Sequence, residues 1–218
     1  MRILTAMVGL CLMSSVSAAS LTIDLYKTVP SGQQGDSIGT VTAVDTQYGL
    51  LLIPHLKGLT PGIHGFHLHT NPSCADSGQA AGPHWDPANS GMHLGPYDPE
   101  GELGDLPALT AEANGNVSLP VLAPRLKVAM LQGHSLMVHA GGDNYSDVPE
   151  PLGGGGARIA CGVIASNALV SQNTAVPDAP EPSDEVDINS DEPIQGVHNH
   201  ANQAVLASTQ ADASTPHS

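Results

Sequence analysis

Positive charge and aromatic side chains are scarce in this chain of 218 residues. It contains six Lys and Arg against 21 Asp and Glu, a formal net charge of −15 at pH 7, and only 3% of its residues are Phe, Trp or Tyr. Because binding to phosphates needs clustered Lys and Arg, this balance argues against nucleic acid as a partner. Gly (24) and Pro (18) are abundant instead, which favours a turn-rich β protein over a helical one.

The apolar run at the N-terminus, over residues 3–13, is too short to span a membrane. Arg2 precedes this run and small residues follow it at positions 17–19. The pattern is typical of a secretory signal peptide. We therefore predict that residues 1–19 are removed on export and that the mature protein does not insert into a membrane.

Cysteine is also rare, with three in the whole chain. Cys11 lies inside the predicted signal peptide and follows the bulky Leu10, where the cleavage site of a lipoprotein would need a small residue. Export places the other two, Cys74 and Cys161, in a compartment where thiols oxidise. We therefore predict one disulfide that closes a long loop and contributes roughly 2–4 kcal/mol to stability.

Alternating apolar and polar residues mark strand candidates in segments 21–41, 48–55, 62–69, 116–119, 135–139 and 158–164. Short strands with Gly and Pro between them indicate an antiparallel sandwich or barrel. Two long segments, 70–107 and 140–156, interrupt the alternation. Loops of this length inside a compact domain are usually functional. We place the single folded domain at residues 20–165.

The composition changes in residues 166–218, which contain no Lys, Arg or aromatic residue and several Pro. We predict that this segment is a disordered acidic tail. It holds eight of the acids, so with Arg2 removed the domain itself carries 5 − 13 = −8. The tail histidines His198, His200 and His217 allow two interpretations, incidental residues of a solvated extension or an arm that gathers metal.

Two histidines, His67 and His69, stand two positions apart in the strand candidate 62–69. Residues i and i+2 of a strand project from the same face, so the two imidazoles form half of a possible metal site. An isolated pair of this kind is more often a surface feature. Eight histidines, however, lie from position 55 to position 139, about as many as two adjacent transition-metal sites need when carboxylates assist.

Further candidate ligands lie in or beside the long loops: His84, His93, Asp105, His139 and Asp143. They belong to a series of short strings that are read in order as GFHLH, NPSC, GPHWDP, HLGPY, LGDLPAL, VLAPRLK, VHAGGDNYSD and PLGGGGARIACGVI. In order and spacing, across residues 21–165, these strings resemble the copper-zinc superoxide dismutases, and specifically the bacterial periplasmic branch of that family.

The resemblance implies an all-β fold, an eight-stranded Greek-key β-barrel or sandwich with two long functional loops. It also implies one copper and one zinc per subunit, superoxide as the substrate and a periplasmic location. Position by position it makes His67, His69, His84 and His139 copper ligands, places His84, His93 and Asp105 at zinc-ligand positions, gives Asp143 the role of linking a copper histidine to a zinc histidine, and pairs Cys74 with Cys161. His64 matches a structural histidine and is not a ligand.

One position departs from the family pattern. Periplasmic members have HLGDLP where this chain has ELGDLP, so Glu102 replaces a zinc histidine. A carboxylate can bind zinc, and we favour zinc bound through Glu102. The alternative is a zinc site that is weak, empty or filled by another ion, with Glu102 turned to solvent.

The resemblance assigns catalytic roles to His84 and Arg158. His84 would bridge the two metals and carry a proton, and Arg158 would attract superoxide at the mouth of the copper channel with a charge that persists at any physiological pH. Arg158 could instead be a surface ion-pair partner. His134 could lie at a subunit interface or on the barrel surface. The family contains dimers and monomers, and we favour a homodimer.

A rival function is a non-catalytic periplasmic module that binds or delivers copper, since a fold does not fix a function. Such a module could do without the arginine and the bridging histidine, and both are present here. A third possibility, a structural β domain that binds zinc alone, leaves His139 unexplained. We therefore predict dismutation of superoxide to O₂ and hydrogen peroxide.

Overall fold

A computed structural model of the protein describes residues 18–31 and 34–173. The strands are β1 (Ala18–Lys27), β2 (Ser37–Thr46), β3 (Gly49–Leu56), β4 (Gly62–His64), β5 (Phe66–His69), β6 (Leu109–Ala111), β7 (Val121–Ala123), β8 (His134–His139), β9 (Arg158–Ile164) and β10 (Ser171–Asn173). The helical turns are 3₁₀ turns at Gln79–Ala81, Val128–Leu131 and Pro151–Gly154. Among the residues described, no helix is both long and apolar enough to cross a membrane. The predicted all-β class is confirmed.

The strands pair antiparallel in a curled sheet with the order β5-β8-β9-β1-β2-β3-β7, while β10 pairs with β1 and β4 pairs with β6 in a second, two-stranded sheet. Gly65 alone separates β4 from β5, so one run of chain connects the two sheets. When β4 and β5 are counted as one interrupted strand and β10 is set apart, 10 − 1 − 1 = 8 strands remain. The predicted Greek-key barrel or sandwich is consistent with this arrangement.

Leucine and valine fill the core, because the chain has few aromatic residues to place there. In β1 the side chains of Leu21, Ile23 and Leu25 are buried and the residues between them are exposed, as a strand with one core face requires. β5 differs, because all four of its side chains are buried. Phe66 and Leu68 belong to the core cluster, so His67 and His69 lie on the other face, covered by the loops.

The described fold extends beyond the boundaries predicted for the domain. β1 begins at Ala18, within the predicted signal peptide, and pairs with β10 through Ala18 and Asn173. Ala168 and Val170 pack against the core before β10 begins. The rest of the predicted signal peptide and tail, including the three tail histidines, lies outside the described residues.

The predicted disulfide is present and joins Cys74 to Cys161, with the two Cα atoms 5.7 Å apart. Cys161 lies in β9 and Cys74 in the long loop after β5. The bond therefore ties the first half of that loop to the sheet across 87 positions of sequence.

Replacing both cysteines with Ser should lower the free energy of unfolding by roughly 2–4 kcal/mol, because the unfolded chain regains the freedom that a long closed loop removes. Urea unfolding of the metal-free protein measures this difference without a contribution from bound metal. A double variant as stable as the unreduced parent would contradict the prediction.

Candidate metal centre

The long loop from Thr70 to Pro107 runs beside β5 and supplies side chains to the face that carries His67 and His69. The backbone N–H of Leu68 donates to the Gly104 carbonyl (2.9 Å), and the N–H of Trp85 donates to the Leu68 carbonyl (2.8 Å). Isolated antiparallel β-bridges place His67 opposite Asp105 and His69 opposite His84. Gly104 is required here, because a Cβ at this position would collide with the Leu68 carbonyl oxygen.

The second long loop closes the site from the side of β8 and β9. His139 is the last residue of β8 and lies opposite Arg158, the first residue of β9. The glycine run at 153–156 packs directly on the site. Gly153 has a φ of +71°, and a Cβ there would collide with the carboxylate of Asp143. Gly153 and Gly155 thus allow the backbone to approach Asp143 and His139 more closely than a residue with a side chain could.

Four buried imidazole nitrogens converge without a hydrogen-bond partner among the described residues: His67 Nδ1, His69 Nε2, His84 Nε2 and His139 Nε2. The four residues offer donor atoms that all lie within 4.8 Å of one another. A buried polar atom without a partner is costly, and four that face one point are explained by a shared metal ion. We call this group the first half of the centre.

The opposite nitrogens of three of these rings are fixed by acceptors. His69 Nδ1 donates to the Gly82 carbonyl (2.9 Å), His139 Nδ1 to the Gly156 carbonyl (3.2 Å) and His67 Nε2 to Asp143 Oδ2 (2.8 Å). Each bond places the ring proton on the far nitrogen and leaves a lone pair on the nitrogen that faces the centre. His84 has no such carbonyl behind it, because its Nδ1 faces a second group of donors.

That second group contains His84, His93 and Asp105, and His67 lies beside them within the same 4.8 Å limit. Asp105 Oδ1 is 3.1 Å from His84 Nδ1 and 2.9 Å from His93 Nδ1. Two donors on one tetrahedral zinc ion lie about 3.3 Å apart, given zinc–ligand distances near 2 Å. The spacing therefore fits zinc.

Hydrogen bonds from the surrounding chain orient the second group. The backbone N–H groups of Leu94 and Gly95 donate to Asp105 Oδ2 (3.2 and 3.0 Å), which leaves Oδ1 for the metal. His93 Nε2 donates to Asp143 Oδ1 (2.8 Å). Since the other oxygen of Asp143 accepts from His67, this one buried carboxylate connects the two groups from behind.

Glu102 faces this second group rather than solvent. It is 8% exposed, and its Oε2 lies 2.9 Å from His84 Nδ1. The angles there are not those of a hydrogen bond, so Oε2 has no donor among the described residues. A metal ion that both atoms contact, in place of a proton on His84 Nδ1, accounts for this close approach. Glu102 therefore does not turn to solvent, while zinc binding through Glu102 stays a prediction. We call His84, His93, Asp105 and Glu102 the second half of the centre.

The two halves hold protons differently in the metal-free protein. Burial is the main reason why the pKa of His67 falls to about 3, that of His69 to about 2 and that of His139 to about 4. Burial also opposes protonation of His93, but hydrogen bonds to Asp105 and Asp143 outweigh it and raise its pKa to about 10. The carboxylates of Asp105 and Glu102 likewise outweigh burial and raise the pKa of His84. At pH 7 the imidazoles of His67, His69 and His139 are therefore neutral, and His93 is protonated.

Zinc binding to the metal-free protein at pH 7 should therefore release protons, because His93 must lose one to offer Nδ1. The apparent zinc affinity should rise with pH until the pH passes the His93 pKa of about 10. Calorimetric titration in buffers of different ionisation enthalpy measures the number of protons released. Heats that do not depend on the buffer would contradict this prediction.

Arg158 lies next to the first half of the centre. Its Nη1 donates to the Gly78 carbonyl and its Nη2 to the Gly82 carbonyl, both at 2.7 Å. The Gly82 carbonyl also accepts from His69 Nδ1, so guanidinium and imidazole share one acceptor. These contacts fix the cation in place and also hold the loop. They do not support the alternative that Arg158 is a surface ion-pair partner.

His64 and His134 stay outside both halves. His64 is buried, with Nδ1 2.7 Å from the His139 carbonyl and Nε2 2.8 Å from the Thr60 carbonyl, so it braces the backbone of a first-half histidine. His134 places Nδ1 2.9 Å from the Thr70 carbonyl and packs its ring 4.4 Å from that of Trp85.

Sequence reasoning missed the residues that act through the backbone. Arg125 donates to the carbonyls of Gly101 and Glu102 (2.6 and 3.2 Å) and so positions the Glu102 segment. Gly82 and Gly156 orient histidines through carbonyls that carry no signature of this role. Arg125 lies in the string VLAPRLK, Gly82 in GPHWDP and Gly156 in PLGGGGARIACGVI, but no string indicates which backbone carbonyl accepts from a histidine.

An all-β fold that carries two adjoining donor sets, with one histidine between them, defines a β-sandwich metalloprotein with a histidine-bridged dinuclear centre. The family model for copper/zinc superoxide dismutase (SODC) matches residues 37–164. The chain therefore belongs to the copper/zinc superoxide dismutase family. The predictions of this family and of copper and zinc as its metals are confirmed.

Relatives and solved structures agree with this assignment. The chain is 54% identical over 160 residues to superoxide dismutase [Cu-Zn] 1 of Salmonella typhimurium, an alignment that covers 69% of this chain and 90% of the relative. The structure of the Cu/Zn superoxide dismutase from Brucella abortus matches at 51% identity and a TM-score of 0.63, over 66% of this chain and 99% of the other. The solution structure of the monomeric enzyme from Salmonella enterica matches at 48% identity and a TM-score of 0.59, with the same coverage of both chains.

Proposed function

We propose that this protein dismutates superoxide, with copper in the first half of the centre and zinc in the second. The four unpartnered nitrogens that converge between His67, His69, His84 and His139 carry the proposal. Family membership supports the reaction, and the donor types support the order of the metals, because imidazole suits copper and a mixed imidazole and carboxylate set suits zinc.

Copper supplies one-electron redox chemistry, by which one superoxide is oxidised to O₂ and a second is reduced to hydrogen peroxide with two protons. The residues of the chain orient the donor atoms and supply a proton to the substrate. His67, His69 and His139 stay neutral and hold their lone pairs inward because of the acceptors behind them. His84 Nε2 would carry one of the two protons to the reduced substrate and solvent water would supply the other, while Nδ1 would stay among the donors of the second half.

Arg158 attracts and orients the substrate anion. Its guanidinium is partly buried at the edge of the first half. Since the predicted domain carries −8 overall, a local positive charge is needed to bring an anion to the metal. The rival function, a copper-delivery module, does not need this group.

The cellular location and the chain boundaries form part of the same proposal. Residues 1–19 act as a signal peptide for export to the periplasm, supported by the composition of this segment and by the Cys74–Cys161 disulfide. Mass spectrometry of the exported protein should find that residues 1–19 are missing, which removes the first two residues of β1. A protein that keeps its first residues would contradict the proposal.

The segment 166–218 is proposed as an acidic tail. Because β10 ends at Asn173, truncation after Asn173 removes the tail histidines and leaves the described fold whole. Equal copper and zinc content of truncated and full-length protein after growth in scarce metal would favour the solvated extension. A lower content would favour the metal-gathering arm.

We propose a homodimer, with a monomer as the other outcome of light scattering. The solved superoxide dismutase from Salmonella enterica, which is 48% identical to this chain, is a monomer. All donors of both halves come from one chain, so neither oligomeric state adds or removes a donor.

Metal stoichiometry of the purified mature protein, measured with its dismutation rate before and after zinc is added, tests the main proposal. We expect about one copper and one zinc per chain, and a dismutation rate well above that of superoxide without the protein. Tight copper binding without dismutation would instead favour the delivery module. Failure to bind copper would overturn both.

A further inference from the structure

The two halves of the centre present different donor chemistry. Imidazole alone lines the first half. The second half combines the imidazoles of His84 and His93 with the carboxylates of Asp105 and Glu102. Imidazole suits copper and zinc, whereas carboxylate oxygen is a poor ligand for soft Cu(I) and suits harder dications. The two halves therefore differ in the hardness of their donor atoms, a property that determines which metal ion a site prefers.

Glu102 occupies its place because the chain around it is fixed. Its backbone N–H donates to the Met92 carbonyl (2.9 Å), and its carbonyl accepts from Arg125 Nη1 (3.2 Å). The neighbouring Gly101 carbonyl accepts from Arg125 Nη2 (2.6 Å). A Cβ on Gly101 would lie 2.8 Å from the Leu94 Cβ, so this turn is closely packed. The carboxylate is thus presented to the second half by a rigid segment.

Charge balance strengthens the effect of donor type. Glu102 and Asp105 are 8% and 2% exposed, so two negative charges lie together with little access to water. A divalent ion neutralises both. A monovalent ion leaves one buried charge uncompensated, which is costly. The second half therefore favours an ion that remains divalent.

We propose that Glu102 is a metal-specificity residue, which makes the second half of the centre accept zinc and exclude copper, above all Cu(I). The redox-active ion is thereby confined to the first half. This inference rests on the proposed function, since it takes Glu102 as a ligand of the second half. It goes beyond that function by assigning a reason for the carboxylate at this position.

Metal-free, full-length protein is titrated anaerobically with Cu(I) against a chelator, and separately with Zn²⁺. The centre of the unsubstituted protein should bind about one Cu(I), and Glu102→His should bind about two, because a third imidazole replaces the carboxylate. Glu102→Gln should bind the second Cu(I) more tightly and Zn²⁺ more weakly than the parent, because it removes one negative charge. Glu100→Gln, a change at an exposed Glu of the same loop, should match the parent. The tail is identical in all variants, so its contribution cancels.

Co²⁺ in place of zinc separates failure of this inference from failure of the ligand assignment. Its visible spectrum should change between the parent and Glu102→Gln if Glu102 is a ligand. An unchanged spectrum would overturn both the ligand set and the inference. A changed spectrum with equal Cu(I) binding by the parent, Glu102→His and Glu102→Gln would overturn the inference alone.

Discussion

Replacing Arg158 with Glu lowers the dismutation rate by roughly 10- to 1000-fold at low ionic strength, the span that electrostatic steering covers in general and in this family. The reason is local, because the guanidinium lies beside His69 and shares the Gly82 carbonyl with it. Reversing the charge there adds a repulsive group to a domain that already carries net negative charge. Stopped-flow decay of superoxide measures the rate, and copper content is determined on the same sample.

Two further variants separate charge from structure. Arg158→Lys keeps the charge but loses the paired hydrogen bonds to Gly78 and Gly82, so it should retain much more activity than Arg158→Glu. Lys57→Glu makes the same change of charge at an exposed residue and should have a small effect that disappears in salt. Retention of copper with an unchanged rate in Arg158→Glu at low ionic strength would refute steering by this residue.

Replacing Asp143 with Ala should weaken the binding of copper and zinc together, each by roughly 10- to 100-fold, the range observed when a group that orients metal ligands is removed. Its buried carboxylate accepts from His67 Nε2 and from His93 Nε2, both at 2.8 Å. Without it, two buried ring N–H groups lose their acceptor and both rings lose their orientation. Competition with chelators of known affinity measures each metal in turn.

Asp24→Asn is the matched control for Asp143. Asp24 is an exposed carboxylate in β1, and its replacement should leave both affinities unchanged. Asp143→Asn keeps one acceptor oxygen, so it can accept from only one of the two rings and should orient only that ring. A loss confined to one metal in Asp143→Ala would show that the carboxylate does not couple the halves.

The structure brings together the donor residues that the sequence singled out, because their spacing follows from strand geometry and from short motifs. His67 and His69 had to share a face, and the structure places them so. Alternation likewise predicted the strands that supply core residues such as Leu21, Ile23 and Leu25. Where alternation is weak, prediction failed. The break at Gly65 and the strand β10 follow from tertiary pairing, since β4 and β10 gain their hydrogen bonds from β6 and β1.

The sequence alone determined the donor inventory of this protein: which histidines, carboxylates and cysteines exist, and that a glutamate stands at position 102. Only the tertiary structure decided how that inventory is used. It turned Glu102 toward His84 and gave Asp143 a histidine on each oxygen. It also left four nitrogens facing one point. The physical reason is that these contacts join residues far apart in sequence, through backbone carbonyls and loop packing that local patterns do not encode.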